Sequence, residues 1–321
     1  MREIEMTGYR NALPQLGEEI FLTDGGLETT LIFHNGIDLP HFASFVLLDD
    51  EDGVAALRDY YCCYLDIASD AGAGFILETP TWRASADWGE KLGYDAGQLA
   101  KFNRHSVQLL EELRQHYSTR SGPIVISGNV GPRGDGYQVN DRMSAGEAEQ
   151  YHGVQIETFA ATNADMICAI TLNYADEAIG IVNAAAARGI PSAIGFTTET
   201  DGRLPSGQTL GAAIEQVDAA TDGAAAYFMV NCAHTEHFDD ALRTDEAWTT
   251  RIRGIRANAS RMSHAELDAA EELDDGDPVE FGRLYQALRE RFSHISVLGG
   301  CCGTDHRHIN AVRSSVCPAT K

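Results

Sequence analysis

The 321-residue chain predicts an α/β fold, a (βα)₈ TIM-type barrel. Short apolar runs alternate with segments of helical periodicity, which is typical of βα units and a parallel sheet. The count of eight such runs over about 300 residues favours a barrel over a doubly wound sheet. A doubly wound sheet would also place the pattern G-x-G-x-x-G after its first strand, and Gly25 and Gly26 are not followed by that spacing.

Each predicted strand is a short apolar run that ends at polar or glycine residues. The eight runs are Ile20–Asp24, Gly74–Thr79, Pro123–Gly128, Met166–Leu172, Pro191–Phe196, Ala226–Cys232, Ile252–Ala257 and Ile295–Gly299. We expect a single domain over residues 1–321, in which the acidic stretch Ser260–Asp277 is an exposed excursion after the seventh strand.

Helical patterns occupy the segments between the strands. Ser144 and Glu147 have the spacing of a capping box and predict a helix that begins there. The alanine-rich segment Ala175–Arg188 predicts another helix, which ends at Gly189. A third helix is indicated by apolar residues that recur on one face, at Val54, Leu57, Tyr61, Leu65 and Ala68.

The charge balance argues against nucleic-acid and membrane partners. The chain has 24 basic and 48 acidic side chains, a formal net charge of −24, which repels phosphate backbones and anionic lipids. Such acidity serves solubility, or attracts a cationic substrate. No apolar run approaches the roughly 18 residues of a membrane span, and Met1–Met6 lack the apolar core of a signal peptide. We expect a cytoplasmic enzyme for small molecules, with assembly as a homo-oligomer left open.

The barrel prediction implies a site, because the C-terminal strand ends of this fold surround a common bowl. Many Asp, Asn and Thr residues at such ends only cap helices or turns, whereas cysteine is a poor cap. The residues at the predicted rim of the bowl are Asp24, Glu78, Thr79, Asn129, Thr171–Asn173, Thr197–Glu199, Asn231, Cys232, Asn258, Cys301 and Cys302.

Three of the seven cysteines fall on this rim and indicate a catalytic zinc site. Glycines flank Cys301 and Cys302, which frees the backbone so that both sulfurs can converge with Cys232. Adjacent cysteines form a strained disulfide, and no C-x-x-C spacing supports a redox pair or a structural zinc site. His234 or His237 would close the metal site if either acted as a fourth ligand. The cysteines Cys62, Cys63 and Cys168 are interpreted as small buried hydrophobic residues, and Cys317 is unassigned.

A zinc ion on three thiolates is electron-rich and suits thiol chemistry better than the splitting of water. The site would carry a formal charge of about −1, and an incoming thiol would be held deprotonated at neutral pH. A thiolate can then displace an alkyl group directly, and the negative centre favours a cationic alkyl donor. Trp82, just beyond the second strand, is expected to face such a cation.

The sequence resembles the zinc-dependent homocysteine S-methyltransferases, which include betaine–homocysteine and S-methylmethionine–homocysteine methyltransferases. The resemblance lies in five segments: Thr23–Leu27, Thr79–Ser85, Gly131–Gly134, Val230–Cys232 and Gly299–Thr304. It implies a (βα)₈ barrel with zinc on Cys232, Cys301 and Cys302, a homocysteine thiol that completes the metal shell, and a sulfonium, betaine or folate methyl donor. We expect the substrates to contact Asp24, Gly25, Gly26, Glu78, Thr79, Trp82, Thr171 and Asn231.

One position departs from the family pattern. Ile170 stands where the family usually carries a Glu at the end of the fourth strand, and that Glu pairs with the homocysteine amino group. Loss of a countercharge costs several kcal/mol if the ammonium is buried. Either Glu78 or Glu199 takes over this role, or the acceptor is a different thiol.

The predicted function is therefore a zinc-dependent S-methyltransferase. A methyl group moves from a cationic sulfonium or ammonium donor to a zinc-bound thiol, with homocysteine and methionine as the expected acceptor and product. The alternatives are the same chemistry on another thiol, a zinc-dependent hydrolase with Glu78 as its base, and a non-catalytic sensor that binds zinc or a thiol.

Overall fold

The computed structural model describes residues 8–140 and 142–317. Its eight parallel strands pair in chain order, and the eighth also pairs with the first to close the barrel. The prediction of a (βα)₈ barrel is confirmed. The strands are β1 (Phe21–Leu22), β2 (Gly74–Glu78), β3 (Ile124–Val130), β4 (Met166–Leu172), β5 (Ser192–Phe196), β6 (Tyr227–Asn231), β7 (Ile252–Ala257) and β8 (Val297–Gly300).

Helices surround this barrel. They are α1 (Leu27–Thr29), α2 (Glu51–Ala71), α3 (Ala86–Leu92), α4 (Ala96–Tyr117), α5 (Ala145–Ala160), α6 (Ala175–Ala187), α7 (Leu210–Thr221), α8 (Thr235–Phe238), α9 (His264–Asp268), α10 (Pro278–Arg291) and α11 (His306–Val316). A π-helical turn at Thr30–His34 and short 3₁₀ helices at Pro14–Leu16, Pro40–Phe42, Ser44–Asp49, Asp239–Ala241 and Ala247–Arg251 complete the helical elements.

Several strand boundaries differ from those predicted. β6 ends at Asn231, because Cys232 adopts a left-handed backbone conformation with φ of 55°. β8 begins at Val297, because the Ile295 amide donates to the Phe292 carbonyl in a turn at 3.0 Å. β3 extends two residues beyond the prediction to Val130, which pairs with β4. The capping box of Ser144 at the start of α5 is confirmed.

Two apolar layers support the bowl. One fills the barrel interior and includes Phe21, Ile76, Val125, Met166, Tyr227 and Val297, and the other lies between the sheet and the helices. The two layers use alternate residues of each strand, as expected for a sheet whose two faces are both buried. Buried polar side chains are frequent at the C-terminal strand ends, where the candidate site lies.

No helix within the described ranges combines the length and the hydrophobicity needed to cross a bilayer. The Met1–Met6 segment, where we predicted no signal peptide, lies outside the described residues. Most of the predicted excursion Ser260–Asp277 is exposed, although it contains the short helix α9.

Candidate active site

The three rim cysteines come together in the bowl. The sulfur atoms of Cys232, Cys301 and Cys302 all lie within 4.8 Å of one another. The Cys232 and Cys302 sulfurs are 3.7 Å apart, and all three cysteines are free rather than disulfide-bonded. Two thiolates on one tetrahedral zinc ion, with bonds of about 2.3 Å, are separated by about 3.8 Å. The cluster therefore fits a single metal ion, as the sequence predicts.

Glycines allow Cys301 and Cys302 to approach Cys232. A Cβ atom on Gly299 or Gly300 would collide with the side chains of Thr23 and Thr304, so neither position tolerates a side chain. The Cys301 amide continues the pairing with β7 by donating to the Ala257 carbonyl at 2.9 Å. The absence of side chains before Cys301 thus lets the end of β8 pack closely against the end of β1 and turn into the site.

The carbonyl of Cys232 is also held in place. It accepts a hydrogen bond from the Thr197 hydroxyl at 3.1 Å and another from His264 Nε2 at 2.7 Å. Outer contacts of this kind fix the orientation of a metal ligand. The left-handed conformation of Cys232 is a strained backbone state that such contacts must support.

Tyr137 is a site residue that the sequence analysis missed. Its hydroxyl oxygen lies 3.3 Å from the Cys232 sulfur and 3.8 Å from the Cys302 sulfur. Its ring packs on the His264 imidazole, with ring centroids 4.2 Å apart. Tyr137 lies in the irregular loop after β3, where neither periodicity nor a motif marks it.

The two histidines considered as a fourth ligand make their hydrogen bonds elsewhere. The Nδ1 atom of His234 accepts from the Glu236 amide at 3.3 Å, and the Nε2 atom of His237 donates to the Arg261 carbonyl at 2.9 Å. Among the described residues, the cluster consists of the three cysteines alone. A metal ion held by this cluster would therefore keep a position that no cysteine or histidine of residues 8–140 and 142–317 fills.

The three thiols of the cluster differ in pKa. Hydrogen bonds from Cys301 and Cys302 lower the pKa of the Cys232 thiol well below its ordinary value. The same hydrogen bonds and burial raise the pKa values of Cys301 and Cys302. Burial, followed by the charge of Cys232, raises the pKa of Tyr137 well above its ordinary value. Tyr137 is therefore a hydroxyl at neutral pH and donates its hydrogen bond toward sulfur.

A buried ion-pair triad lies next to the cluster, with Arg256 of β7 between two predicted site residues. Its Nη2 atom is 2.5 Å from Asp24 Oδ1, and its Nη1 atom pairs with Glu78 Oε2. Tyr60 donates a further hydrogen bond to Asp24 at 3.1 Å. Burial raises the pKa of Asp24 to about 6, against the opposing charge of Arg256. Asp24 and Glu78 thus both pair with the buried cation of Arg256. In the sequence, this pairing is indicated only by the presence of an arginine in an apolar strand.

Asn231 and Thr171 contact each other next to Gly195 of β5. The Asn231 side chain accepts from the Thr171 amide at 2.9 Å and donates to the Thr171 hydroxyl at 3.0 Å. Gly195 of β5 leaves room for this contact, because a Cβ atom there would lie 2.7 Å from Asn231 Oδ1. Direct contact of either residue with a substrate stays a prediction.

The remaining predicted contacts form the walls of the bowl. Thr79 accepts from the Asn129 amide at 2.8 Å, and Gly25 and Gly26 pack too closely against Thr304 and Cys301 to carry side chains. Ile170 is buried and belongs to the apolar interior of the barrel. Trp82 donates to the Ile170 carbonyl at 3.4 Å.

The carboxylate of Glu28 is a second site feature that the sequence analysis missed. It lies on α1, is half-buried, and accepts a hydrogen bond from the Ser44 hydroxyl at 2.8 Å. Burial raises the pKa of Glu28, the charge of Cys232 raises it further, and Arg256 lowers it. Its chain neighbours Gly26 and Thr29 contact Cys301 and Gly303, so Glu28 lies at the same rim as the sulfur cluster. By contrast, Glu199 has a side chain that is 38% exposed and lies beside His264.

Comparison with known proteins gives one family and one fold. A family model described as Homocysteine S-methyltransferase matches residues 21–316. The chain is 25% identical over 263 residues to betaine–homocysteine S-methyltransferase 1 of Rattus norvegicus, an alignment that covers 76% of this chain and 61% of the rat protein. The chain thus spans less than two thirds of the length of that relative.

Solved structures of the homocysteine methyltransferase MmuM from Escherichia coli are similar in fold. The metallated form is 20% identical with a TM-score of 0.71, covering 92% of this chain and 96% of that one. The oxidized form is 21% identical with a TM-score of 0.72, covering 96% and 99% respectively.

Proposed function

The chain belongs to the homocysteine S-methyltransferase family, and we propose that it is a zinc-dependent S-methyltransferase. In this proposal a methyl group passes from a cationic sulfonium or ammonium donor to a small thiol, most directly homocysteine, which gives methionine. The observation that carries the proposal is the convergence of the Cys232, Cys301 and Cys302 sulfurs within 4.8 Å, with no fourth cysteine or histidine among the described residues.

The three cysteines would hold the metal ion. Bound there, zinc supplies a position at which an incoming thiol is held deprotonated at neutral pH. In the transfer step the acceptor sulfur forms a bond to the methyl carbon while the bond from that carbon to the donor heteroatom breaks. The bonding electrons go to the donor sulfur or nitrogen, which leaves as a neutral group. This displacement requires no general base on the chain.

The charge of the bowl supports cationic substrates. Three thiolates outweigh a divalent ion, and Glu28 adds a further carboxylate beside them. Arg256 does not offset this charge, because Asp24 and Glu78 already pair with it. We assign Glu28, rather than Glu78 or Glu199, as the countercharge for the ammonium group of an amino-acid thiol.

The runner-up keeps the chemistry and changes the acceptor. Ile170 is apolar and buried at the end of β4, so this part of the wall offers no charge to an ammonium group. A thiol without an amino group would suit such a wall. A hydrolase has less support, because its candidate base Glu78 is paired with Arg256. A cytoplasmic location, assembly as a homo-oligomer and the absence of nucleic-acid partners stay predictions.

The proposal is tested by metal content and product formation together. Purified protein is assayed for zinc and for methionine formed from homocysteine with S-methylmethionine or betaine as donor. We expect about one zinc ion per chain and methionine with at least one donor, and we expect Cys301→Ser to lose both. Cys62→Ser, a change to a half-buried cysteine of α2, is the matched control and should lose neither. An equal zinc content in the wild type and in Cys301→Ser would show that the cysteine cluster is not the zinc site, and the proposal would be wrong.

A further inference from the structure

Arg83 is buried between two tryptophans at the edge of the bowl. It follows β2, and only 7% of its surface is exposed. The centre of its guanidinium lies 3.8 Å from the ring centroid of Trp82 and 3.7 Å from that of Trp88. Stacking on both faces leaves the edge of the planar group, where all its N–H donors lie, available for hydrogen bonds.

One of those donors is buried without a partner. The Nη1 atom donates to the Gly134 carbonyl at 3.1 Å, while the Nε atom is buried without any hydrogen bond. Within residues 8–140 and 142–317, no carboxylate forms an ion pair with this guanidinium. Arg114 and Arg256, which are equally buried, do have carboxylate partners, at 2.7 Å from Asp165 and 2.5 Å from Asp24.

The guanidinium of Arg83 stays charged although no carboxylate in the described part of the chain pairs with it. Burial lowers the pKa of Arg83 to about 10, and the negative charge of Asp135 partly opposes this effect. Arg83 is therefore a cation at neutral pH. Buried charges in proteins are normally paired, because the loss of hydration must be compensated. Because no carboxylate of the described residues serves as its counter-ion, we infer that a ligand supplies one.

The guanidinium belongs to the same bowl as the sulfur cluster. Gly134, which accepts its hydrogen bond, is three residues before Tyr137, whose hydroxyl contacts Cys232. Trp82, which stacks on it, donates to the carbonyl of Ile170. The charge of Glu28 also contributes to the pKa of Arg83, so the two opposite charges lie within electrostatic reach of each other.

We propose that Arg83 is the carboxylate-binding residue of the substrate site. Its planar fork can donate two parallel hydrogen bonds to a carboxylate, which a lysine or a backbone amide cannot do. The carboxylate belongs either to an amino-acid thiol, whose ammonium group then faces Glu28, or to a methyl donor that carries one. The inference rests on the proposed function and adds the requirement that one of the two substrates is a carboxylic acid.

Binding to zinc-loaded protein tests this requirement on the acceptor side. Isothermal titration compares homocysteine with 3-sulfanylpropan-1-amine, which has the same thiol and amine but no carboxylate. We expect Arg83→Met to weaken homocysteine binding by roughly 10- to 100-fold, the value of a charge-assisted hydrogen-bonded pair, and to leave the amine unchanged. Arg83→Lys should recover part of the loss. Arg188→Met, whose guanidinium donates to a helix carbonyl at 3.1 Å, is the control.

The donor side is tested in the same way with betaine and tetramethylammonium. If Arg83→Met weakens the binding of betaine but not of tetramethylammonium or homocysteine, the bound carboxylate belongs to the methyl donor. This result would also support the inference. If Arg83→Met weakens the ligands with and without a carboxylate by the same factor, or weakens none, Arg83 has only a structural role and the inference is wrong. Zinc content and circular dichroism establish that each variant is folded, and Arg83→Lys replaces Arg83→Met if the latter does not fold.

The two proposals fail in different ways. If wild-type protein binds both thiols and Arg83→Met changes nothing, the carboxylate site fails while the methyltransferase function stands. If zinc-loaded wild type binds neither thiol, the proposed function fails and the carboxylate site fails with it.

Discussion

The Asn231 side chain holds Thr171 through two hydrogen bonds, at 2.9 Å to its amide and 3.0 Å to its hydroxyl. Thr171 and Cys232, the residue after Asn231, both have left-handed backbones, with φ of 63° and 55°. Such conformations are strained and persist only where surrounding contacts impose them. The contact between β4 and β6 therefore positions the backbone that presents the Cys232 sulfur.

Thr171→Val is predicted to weaken metal binding without abolishing it. The change removes the hydroxyl that accepts from Asn231 but keeps the shape of the side chain. Loss of an outer-shell contact typically lowers metal affinity by about 10-fold or more. Competition with a chromogenic zinc chelator measures the affinity. Thr198→Val is the control, because the buried Thr198 hydroxyl makes no hydrogen bond, and it should leave the affinity unchanged. Equal loss in both variants would contradict the role of the contact.

Glu28→Gln is predicted to weaken amino-acid thiols selectively. The neutral amide keeps a partner for Ser44 but removes the charge that faces an ammonium group. We expect homocysteine affinity to fall by about 10-fold, and affinity for 4-sulfanylbutanoate, which lacks the amine, to stay the same. Glu199→Gln is the matched control on the rim. If Glu199→Gln instead shows the selective loss, the countercharge lies there and not at Glu28.

Arg256→Met is predicted to destabilise the fold strongly. It leaves Asp24 and Glu78 buried without a cation, and breaking a buried ion pair costs about 3–5 kcal/mol. Arg261→Met removes an arginine whose side chain is 47% exposed and pairs with Glu236 and Glu280 on the surface, where a loss below about 1 kcal/mol is expected. Urea unfolding of both variants measures the difference. Similar losses would mean that the triad is not a buried electrostatic unit.

The pH dependence of stability is predicted to change in Asp24→Asn. The pKa of Asp24 is raised by burial from 3.8 to about 6, so the folded state holds an extra proton between these values. The stability that this group contributes is therefore complete below about pH 4 and is lost as the pH rises through about 6. Asp24→Asn lacks this titration. Unfolding of metal-free protein in chelator should show the wild type losing stability relative to the variant over this interval. A constant difference, or one of opposite sign, would contradict the raised pKa.

The sequence predicts the barrel because the strands and several of the helices have local signals. Alternating apolar runs mark the strands, and caps such as Ser144 mark helix ends. The convergence of the three cysteines was also predictable, because cysteine has no role as a cap at a strand end and the flanking glycines indicate close approach.

The sequence does not predict the surroundings of the metal site, because these depend on how loops and distant strands meet. Tyr137 reaches the sulfurs from an irregular loop, and no local pattern specifies the path of that loop. The prediction that Glu78 is available to a substrate overlooked Arg256, which is 178 residues away in the chain and adjacent in the folded barrel. Arg83 was overlooked because the burial of its guanidinium, with an Nε atom that makes no hydrogen bond, cannot be inferred from residue order.

Zinc K-edge X-ray absorption tests most directly whether this cluster of three sulfurs receives a substrate thiol. Zinc-loaded protein is measured before and after homocysteine is added. We expect three sulfur neighbours at about 2.3 Å and one lighter atom in the resting protein, and four sulfur neighbours with the thiol present. A sulfur number that stays at three with saturating homocysteine, or a resting site that already holds four, would contradict the proposed chemistry.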